Sequence, residues 1–203
     1  MSKRRASRKD RCPRCHIHYR LCFCQLIKPI ETKSRLSLIL HASELNLTSN
    51  TGRLACDLLT HSEILVRGAI ENKEEILTLT TPPQYTAYYL FPEEGAQELN
   101  EEFVSTLKTP IHLIVPDGSW RQAKKFKRRE PALENLPCLT LPAGPSSSYF
   151  LRTEPMDNFV CTLEAIARAL GILEGQHVQD HLESVLKVMV ERTLMARSGK
   201  HHL

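Results

Sequence analysis

Four cysteines within thirteen residues, Cys12-Pro-Arg-Cys15 followed by Cys22-Phe-Cys24, are the densest chemistry in this chain. A C-x₂-C pair followed by a C-x-C pair offers four thiolates on two tight turns, the donor set of a closed tetrahedral Zn²⁺ site. Basic residues surround it: Arg11, Arg14 and Arg20 alternate with the cysteines, and Lys3, Arg4, Arg5, Arg8 and Lys9 lead into it. A metal knuckle in that setting points to nucleic acid. The alternative, a thioredoxin-like redox pair, needs its C-x-x-C at the strand-to-helix turn of a βαβ unit. Here it lies in a basic, helix-poor leader with a second pair close behind. A total of seven cysteines is odd and suits a complete disulfide framework poorly. Cys56, Cys138 and Cys161 stand alone among apolar neighbours, as buried packing residues do.

The second constellation is Asp117-Gly118-Ser119-Trp120, which follows an apolar run (I-H-L-I-V, residues 111–115) and opens a basic stretch. An acid at the end of a strand is placed to work on a ligand, although it can equally cap the following helix. Ser119 is as good a cap, which leaves Asp117 for chemistry. Trp120 is the sole tryptophan. It reads either as a core anchor or as a surface on which a nucleobase or cofactor ring stacks.

The elements that must position these residues follow from apolar periodicity. Strands are expected at residues 35–40, 63–66, 87–91, 111–115 and 138–141, and helices at 51–60, 98–107, 120–129, 160–170 and 181–197. A polar loop covers 41–50, an acidic surface turn 71–75, and a long Pro/Ser/Gly-rich loop 142–158. Strands alternating with helices imply an α/β fold on a mostly parallel sheet. Ligands bind such sheets beyond the carboxyl ends of the strands, which singles out loops 91–93, 116–119 and 142–152. Neither a G-x-G-x-x-G fingerprint nor a P-loop occurs, so a Rossmann dinucleotide site or an NTPase has no direct support.

Composition sets the frame. The 203 residues accommodate a small N-terminal zinc module (1–30) and one larger domain (31–203), and 41% apolar content is enough for a core. The net charge of +4 conceals an asymmetry. Residues 1–35 carry eleven Lys/Arg against two Asp/Glu, leaving sixteen basic and twenty-one acidic residues for the rest. A second basic block follows Trp120, with Arg121, Lys124, Lys125, Lys127, Arg128 and Arg129 in nine residues. Such a run alone is usually a solvated helix face. Two separate basic blocks on an otherwise acidic chain make an RNA or DNA footprint the better reading, with Arg11, Arg14, Arg20, Arg121, Lys124, Lys125 and Arg128 as its contacts. No signal-peptide core or membrane span is read from the sequence, so a cytoplasmic protein is expected.

Taken together, these pieces resemble the DTW-domain tRNA-uridine aminocarboxypropyltransferases. The resemblance rests on the Cys12/Cys15/Cys22/Cys24 knuckle, on His41-Ala-Ser-Glu44 and Asn50-Thr-Gly-Arg53, on Asp117-Gly-Ser-Trp120 followed by Arg121-Gln-Ala-Lys, and on Thr162-Leu-Glu-Ala165. The family's signature is Asp-x-Thr-Trp. Ser119 departs from it, keeping the hydroxyl and losing the methyl.

The resemblance implies a SPOUT-like fold with a C-terminal knot. It also implies transfer of the 3-amino-3-carboxypropyl group of S-adenosylmethionine to N3 of a variable-loop uridine in tRNA, releasing methylthioadenosine. On that reading Asp117 is the base or imide-holding group, with Ser119 and Trp120 beside it. Backbone groups around Leu90, Pro92, Pro116, Leu141 and Gly144, together with Thr162, hold the cofactor. Glu164 or Glu44 takes its ammonium, and Arg53 or Arg152 its carboxylate. His41 is at least as well read as a packed strand-end histidine as a catalytic one. An ordinary SPOUT-type RNA methyltransferase, and a zinc-containing RNA-binding factor without catalysis, are the competing readings. A DNA-binding regulator fares worst, because its best recognition helix would also carry the strand-end motif.

Overall fold

The computed structural model describes residues 10–68, 76–147, 149, 151 and 160–199. The basic leader before Asp10, the acidic turn at 71–75, Arg152 and the Lys200 tail fall outside them, as does much of loop 142–158. Among the described residues six strands and six α-helices run in the order β1 (Arg35–His41), α1 (Thr51–Asp57), β2 (Ser62–Arg67), β3 (Thr86–Leu90), β4 (Gln97–Glu98), α2 (Glu101–Thr106), β5 (Ile111–Asp117), α3 (Trp120–Arg129), α4 (Pro131–Glu134), β6 (Cys138–Thr140), α5 (Thr162–Glu174) and α6 (Gln176–Arg197). The strands form one sheet in the order β2-β1-β5-β3-β6-β4, and every pairing is parallel.

Alternation along the central strands builds two helical layers. Leu36, Leu38 and Leu40 of β1, with Ile111, Leu113 and Val115 of β5, face a cluster containing Leu54 of α1, Leu163, Ile166 and Leu170 of α5, and Leu182, Leu186 and Met189 of α6. Ile39, Ile114 and Tyr89 point the other way, against Ala123 and Phe126 of α3 and Leu133. This is the period-two pattern of strands covered on both faces. Leu38, Leu40 and Leu113 are fully buried, and each such side chain contributes about 2 kcal/mol by leaving water.

Most boundaries agree with the sequence to within a few residues. Helix α3 matches its expected span because its ends are local: Ser119 and Gln122 form a capping box at the start, and Pro131 follows Glu130 at the end. Strand β4 was not expected. Its two residues are polar, and it exists only because it lies beside β6. The helix expected from residue 98 therefore begins later, at Glu101, where the Asn100 side chain accepts from the Phe103 amide. Helix α6 starts five residues earlier than its apolar stripe suggested, directly after Gly175, whose φ of 113° breaks it from α5.

Ahead of the sheet, the cysteine segment packs into the main core. Cys12, Cys15, Ile17, Leu21, Phe23 and Ile27 belong to the same buried cluster as α1, α5 and α6. Among the described residues no helix is long and apolar enough to cross a membrane.

Candidate active site

The carboxyl ends of β5, β3 and β6 and the turn after β1 open onto one cavity of about 670 Å³. Its floor is the end of β5. Asp117 is the last residue of that strand, paired with Leu40 of β1 and only 6% exposed. Both carboxylate oxygens receive a donor. Asn50 Nδ2 donates to Oδ2 at 2.5 Å and Thr162 Oγ1 donates to Oδ1 at 2.6 Å. Asn50 is the N-cap of α1 and Thr162 the first residue of α5, so the acid sits where a strand end meets two helix starts. Asp117 also lines the cavity, so its carboxylate stands beside the space a ligand would occupy.

Gly52 makes this approach possible. A Cβ there would lie 2.7 Å from Asp117 Oδ2 and 3.0 Å from Leu38 Cδ1, closer than van der Waals contact permits.

Ser119 caps α3, as the sequence suggested. Its Oγ accepts from the Gln122 amide at 3.4 Å, and its own amide donates to Gln122 Oε1 at 2.7 Å. Trp120 is 37% exposed, lines the cavity and packs its ring 5.4 Å from that of Phe91. The two rings are tilted by 53°, and the indole is part of the cavity wall.

Leu90, Pro92, Pro116, Leu141, Gly144 and Thr162 all line the same cavity, together with Glu44. Glu164 and Arg53 are occupied elsewhere. Glu164 Oε2 accepts from the Cys161 amide at 2.9 Å and from Ser147 Oγ at 2.6 Å, closing the cap of α5, and it is 3% exposed. Arg53 reaches the other way, donating to the Arg14 carbonyl at 2.6 Å and meeting His16 Nε2 at 3.1 Å. His41 caps its own turn, accepting from the Ser43 amide at 3.2 Å, and burial depresses its proton affinity. The one basic side chain among the residues lining the cavity is Arg168 of α5, which donates to the Pro145 carbonyl at 2.7 Å. It went unnoticed in the sequence because an arginine on an apolar helix carries no local mark.

The four knuckle sulfurs lie within 4.8 Å of one another. Cys12 to Cys24 is 3.7 Å and Cys15 to Cys22 is 3.8 Å. Four sulfurs at about 2.3 Å from a tetrahedral centre stand about 3.8 Å apart, so the donor set fits Zn²⁺. The first turn closes through His16 N to Cys12 O at 2.9 Å, with His16 itself at φ 58°. Arg14 pairs with Asp57 of α1 at 3.4 Å. Arg11, Arg14 and Arg20 are exposed, as are Arg121, Lys124, Lys125 and Arg128 of α3. Lys127 is not part of that face; it turns inward to Glu93 and Cys138.

Residues 9–194 match the profile of the DTW domain. The chain belongs to the DTW domain family. It is 27% identical over 207 residues to a protein of Macaca fascicularis named tRNA-uridine aminocarboxypropyltransferase 2, covering 98% of this chain and 70% of that one. A Drosophila melanogaster protein of the same name is 27% identical over 177 residues, covering 84% and 69%. The Arabidopsis thaliana tRNA-uridine aminocarboxypropyltransferase A is 29% identical over 213 residues, covering 90% and 80%. Among solved structures, the SAM-dependent rRNA:acp-transferase Tsr3 from Vulcanisaeta distributa superposes with a TM-score of 0.48 at 12% identity, over 81% of this chain and 79% of that one. Within this DTW domain, the knuckle, the Asn50 segment, the Asp117 motif and the Thr162 helix start lie far apart in sequence. The last three converge on the Asp117 carboxylate.

Proposed function

We propose that this chain transfers the 3-amino-3-carboxypropyl group of S-adenosylmethionine to N3 of a uridine in tRNA. The observation that carries the reading is a buried carboxylate, Asp117, on the floor of a cavity that also presents Trp120. The relatives' names supply the reaction class. A volume of about 670 Å³ is in the range that encloses a ligand of cofactor size.

S-adenosylmethionine supplies an electrophilic propyl carbon on a sulfonium, which departs as neutral methylthioadenosine and needs no general acid. The protein's part is alignment and proton removal. Asp117 accepts the N3–H of the imide, and as the N–C bond forms the proton passes to the carboxylate and then to solvent. Trp120 holds one flat ring in place. Backbone groups at Leu90, Pro92, Pro116, Leu141 and Gly144 hold the nucleoside end, with Thr162 beside Asp117. For the amino acid end, Glu44 faces the ammonium and Arg168 the carboxylate. These two replace Glu164 and Arg53, which are spent on the cap of α5 and on the knuckle.

The knuckle holds Zn²⁺ in a closed site whose role is structural. The exposed arginines and lysines of the knuckle and of α3 bind the tRNA backbone. The SPOUT-like knot is part of the same proposal. It would be tied in the chain between β6 and α5, much of which lies outside the described residues. The zinc module of residues 1–30 is proposed as an appendage to the DTW domain that shares its core, and a cytoplasmic location accords with seven reduced cysteines.

Mass spectrometry of nucleosides from tRNA incubated with the protein and S-adenosylmethionine tests the reading. A uridine heavier by an aminocarboxypropyl group, absent with Asp117→Ala, is expected. A methyl adduct would replace the proposed transfer with methylation. No adduct on any tRNA would leave the non-catalytic binding factor.

A further inference from the structure

The Asn50 side chain is used at both ends. Its Oδ1 accepts from the Arg53 amide at 2.8 Å, capping α1, while its Nδ2 donates to Asp117 Oδ2 at 2.5 Å. The backbone amide can only donate, so the side-chain amide has one possible orientation: the oxygen belongs to the cap and the nitrogen to the acid. Thr162 Oγ1 donates to the other oxygen. A carboxylate faced by two donors is favoured in its charged form. The same cap fixes its plane, because Asn50 cannot turn without abandoning α1.

We propose that Asn50 is a positioning residue, which aims the Asp117 carboxylate at the cavity and keeps it an anion ready to receive the imide proton. The role rests on the proposed transferase reading. It separates capping from charge control in one side chain, and so predicts that the two can be uncoupled. Asp caps a helix as well as Asn does, so Asn50→Asp keeps the fold but brings a second carboxylate against Asp117. Two carboxylates at that distance cannot both ionise freely, and the pair holds a shared proton to higher pH. Asn50→Ser keeps a cap and lacks the amide donor.

Other groups near Asp117 come from the elements packed on it. Gly52 and Cys56 approach it from α1, Cys56 being a thiol that burial keeps protonated. Thr162 reaches it from α5, and Glu44 and Arg168 share its cavity. None of these changes in either variant.

The test has two readouts. Carbon-13 NMR of the aspartate carboxyls follows Asp117 without any substrate. Its resonance, assigned with Asp117→Asn, is expected to stay ionised through neutral pH in the wild type and to titrate at least one unit higher in Asn50→Asp. In the transfer assay, the acid limb of kcat against pH is expected to move up by a similar amount in Asn50→Asp. Asn50→Ser should lose on the order of tenfold in kcat, measured on the folded protein at a temperature well below its melting transition. An unshifted Asp117 resonance in Asn50→Asp, or loss of activity only in proportion to loss of folded protein, would overturn the proposal and leave Asn50 a helix cap. Should the wild type make no aminocarboxypropyl product, the transferase reading fails while the NMR titration still decides the positioning claim.

Discussion

Thr162 Oγ1 donates to Asp117 Oδ1 at 2.6 Å, tying the first residue of α5 to the last residue of β5. Forty-five positions of chain separate the two. Residues 118–120, 139–144 and 160–161 between them line the cavity, so this bond ties two parts of the wall together at the point where chemistry is proposed. Thr162→Ser retains the hydroxyl and should behave like the wild type. Thr162→Val keeps the shape and loses the donor, and a hydrogen bond to a charged group is worth about 1.5–3 kcal/mol. Transfer rates are expected to fall at least tenfold in Thr162→Val, measured by nucleoside mass spectrometry. Equal rates for the two variants would show that the bond has no part in the reaction.

Gly52 offers a second test, by steric crowding. Its ideal Cβ would lie 2.9 Å from Asp117 Cγ. Gly52→Ala is expected to push the carboxylate off its two donors, lowering activity more than stability. Alanine's better helix propensity, about 1 kcal/mol in a helix interior, should partly offset the clash in a thermal melt. A variant with normal activity would mean that Asp117 tolerates displacement and that its placement matters little.

The knuckle should carry one zinc per chain by elemental analysis. Its apolar residues share the main core, and Arg53 links its backbone to the helix that Asn50 caps. Metal binding free energy in such sites is folding free energy. Stripping the metal, or replacing Cys22 and Cys24 by Ser, is therefore expected to lower the melting temperature and weaken cofactor binding as well as tRNA binding. Loss of tRNA affinity alone would show that the knuckle is an independent RNA clamp.

Trp120 is the sole tryptophan in the chain, so intrinsic fluorescence reports on the cavity without labelling. Emission is expected to shift when S-adenosylmethionine or a uridine ring enters. Stacking on an aromatic is worth about 1–3 kcal/mol per base. Trp120→Ala should thus raise KM roughly tenfold or more, while Trp120→Phe keeps most of the effect. An emission spectrum indifferent to both ligands would make Trp120 a packing residue for Phe91.

Acid stability should be governed in part by His112, fully buried in β5 on the amino side of the sheet. Ser37 Oγ donates to Glu63 at 2.6 Å, so His112 Nε2 must donate to Ser37 Oγ, also at 2.6 Å, and Nδ1 accepts from Thr81 at 2.9 Å. Burial, with the Arg35 charge adding to it, lowers its pKa from 6.5 to about 4, partly opposed by Glu63. The unfolded chain therefore binds a proton that the folded chain refuses between pH 6.5 and about 4. The stabilisation is complete above that window and is lost as pH falls through it, amounting to about 3 kcal/mol. Denaturant midpoints from pH 7.5 down to 5 should decline in the wild type and decline less steeply in His112→Asn. Parallel slopes would remove His112 as the cause.

What could be read in the sequence was whatever is set by neighbours along the chain. The cysteine spacing gave the metal donor set because two tight turns suffice to gather four thiolates. Helix α3 showed its limits because a capping box and a proline are local signals, and Ser119 was recognisable as the cap. The Asp117 motif was found because strand ends in parallel sheets face ligands. Strand β4 was missed for the converse reason: two polar residues become a strand only through β6 beside them.

Which groups surround Asp117 follows from long-range packing alone. Asn50 and Thr162 both donate to it, and no rule of spacing links either to position 117. The same limit explains Glu164 and Arg53, charged residues close to recognised motifs that are not among the residues lining the cavity. It explains Arg168 as well, which enters the cavity from an apolar helix. Side-chain direction depends on how α1 and α5 are rotated as they pack on β1 and β5. That rotation is chosen by the burial of Leu38, Leu40, Leu54 and Leu163, through hydrophobic contacts that have no short-range signature. Local order along the chain set the kinds of chemical groups and their places at the strand ends. Packing of the two helical layers determined which of them meet.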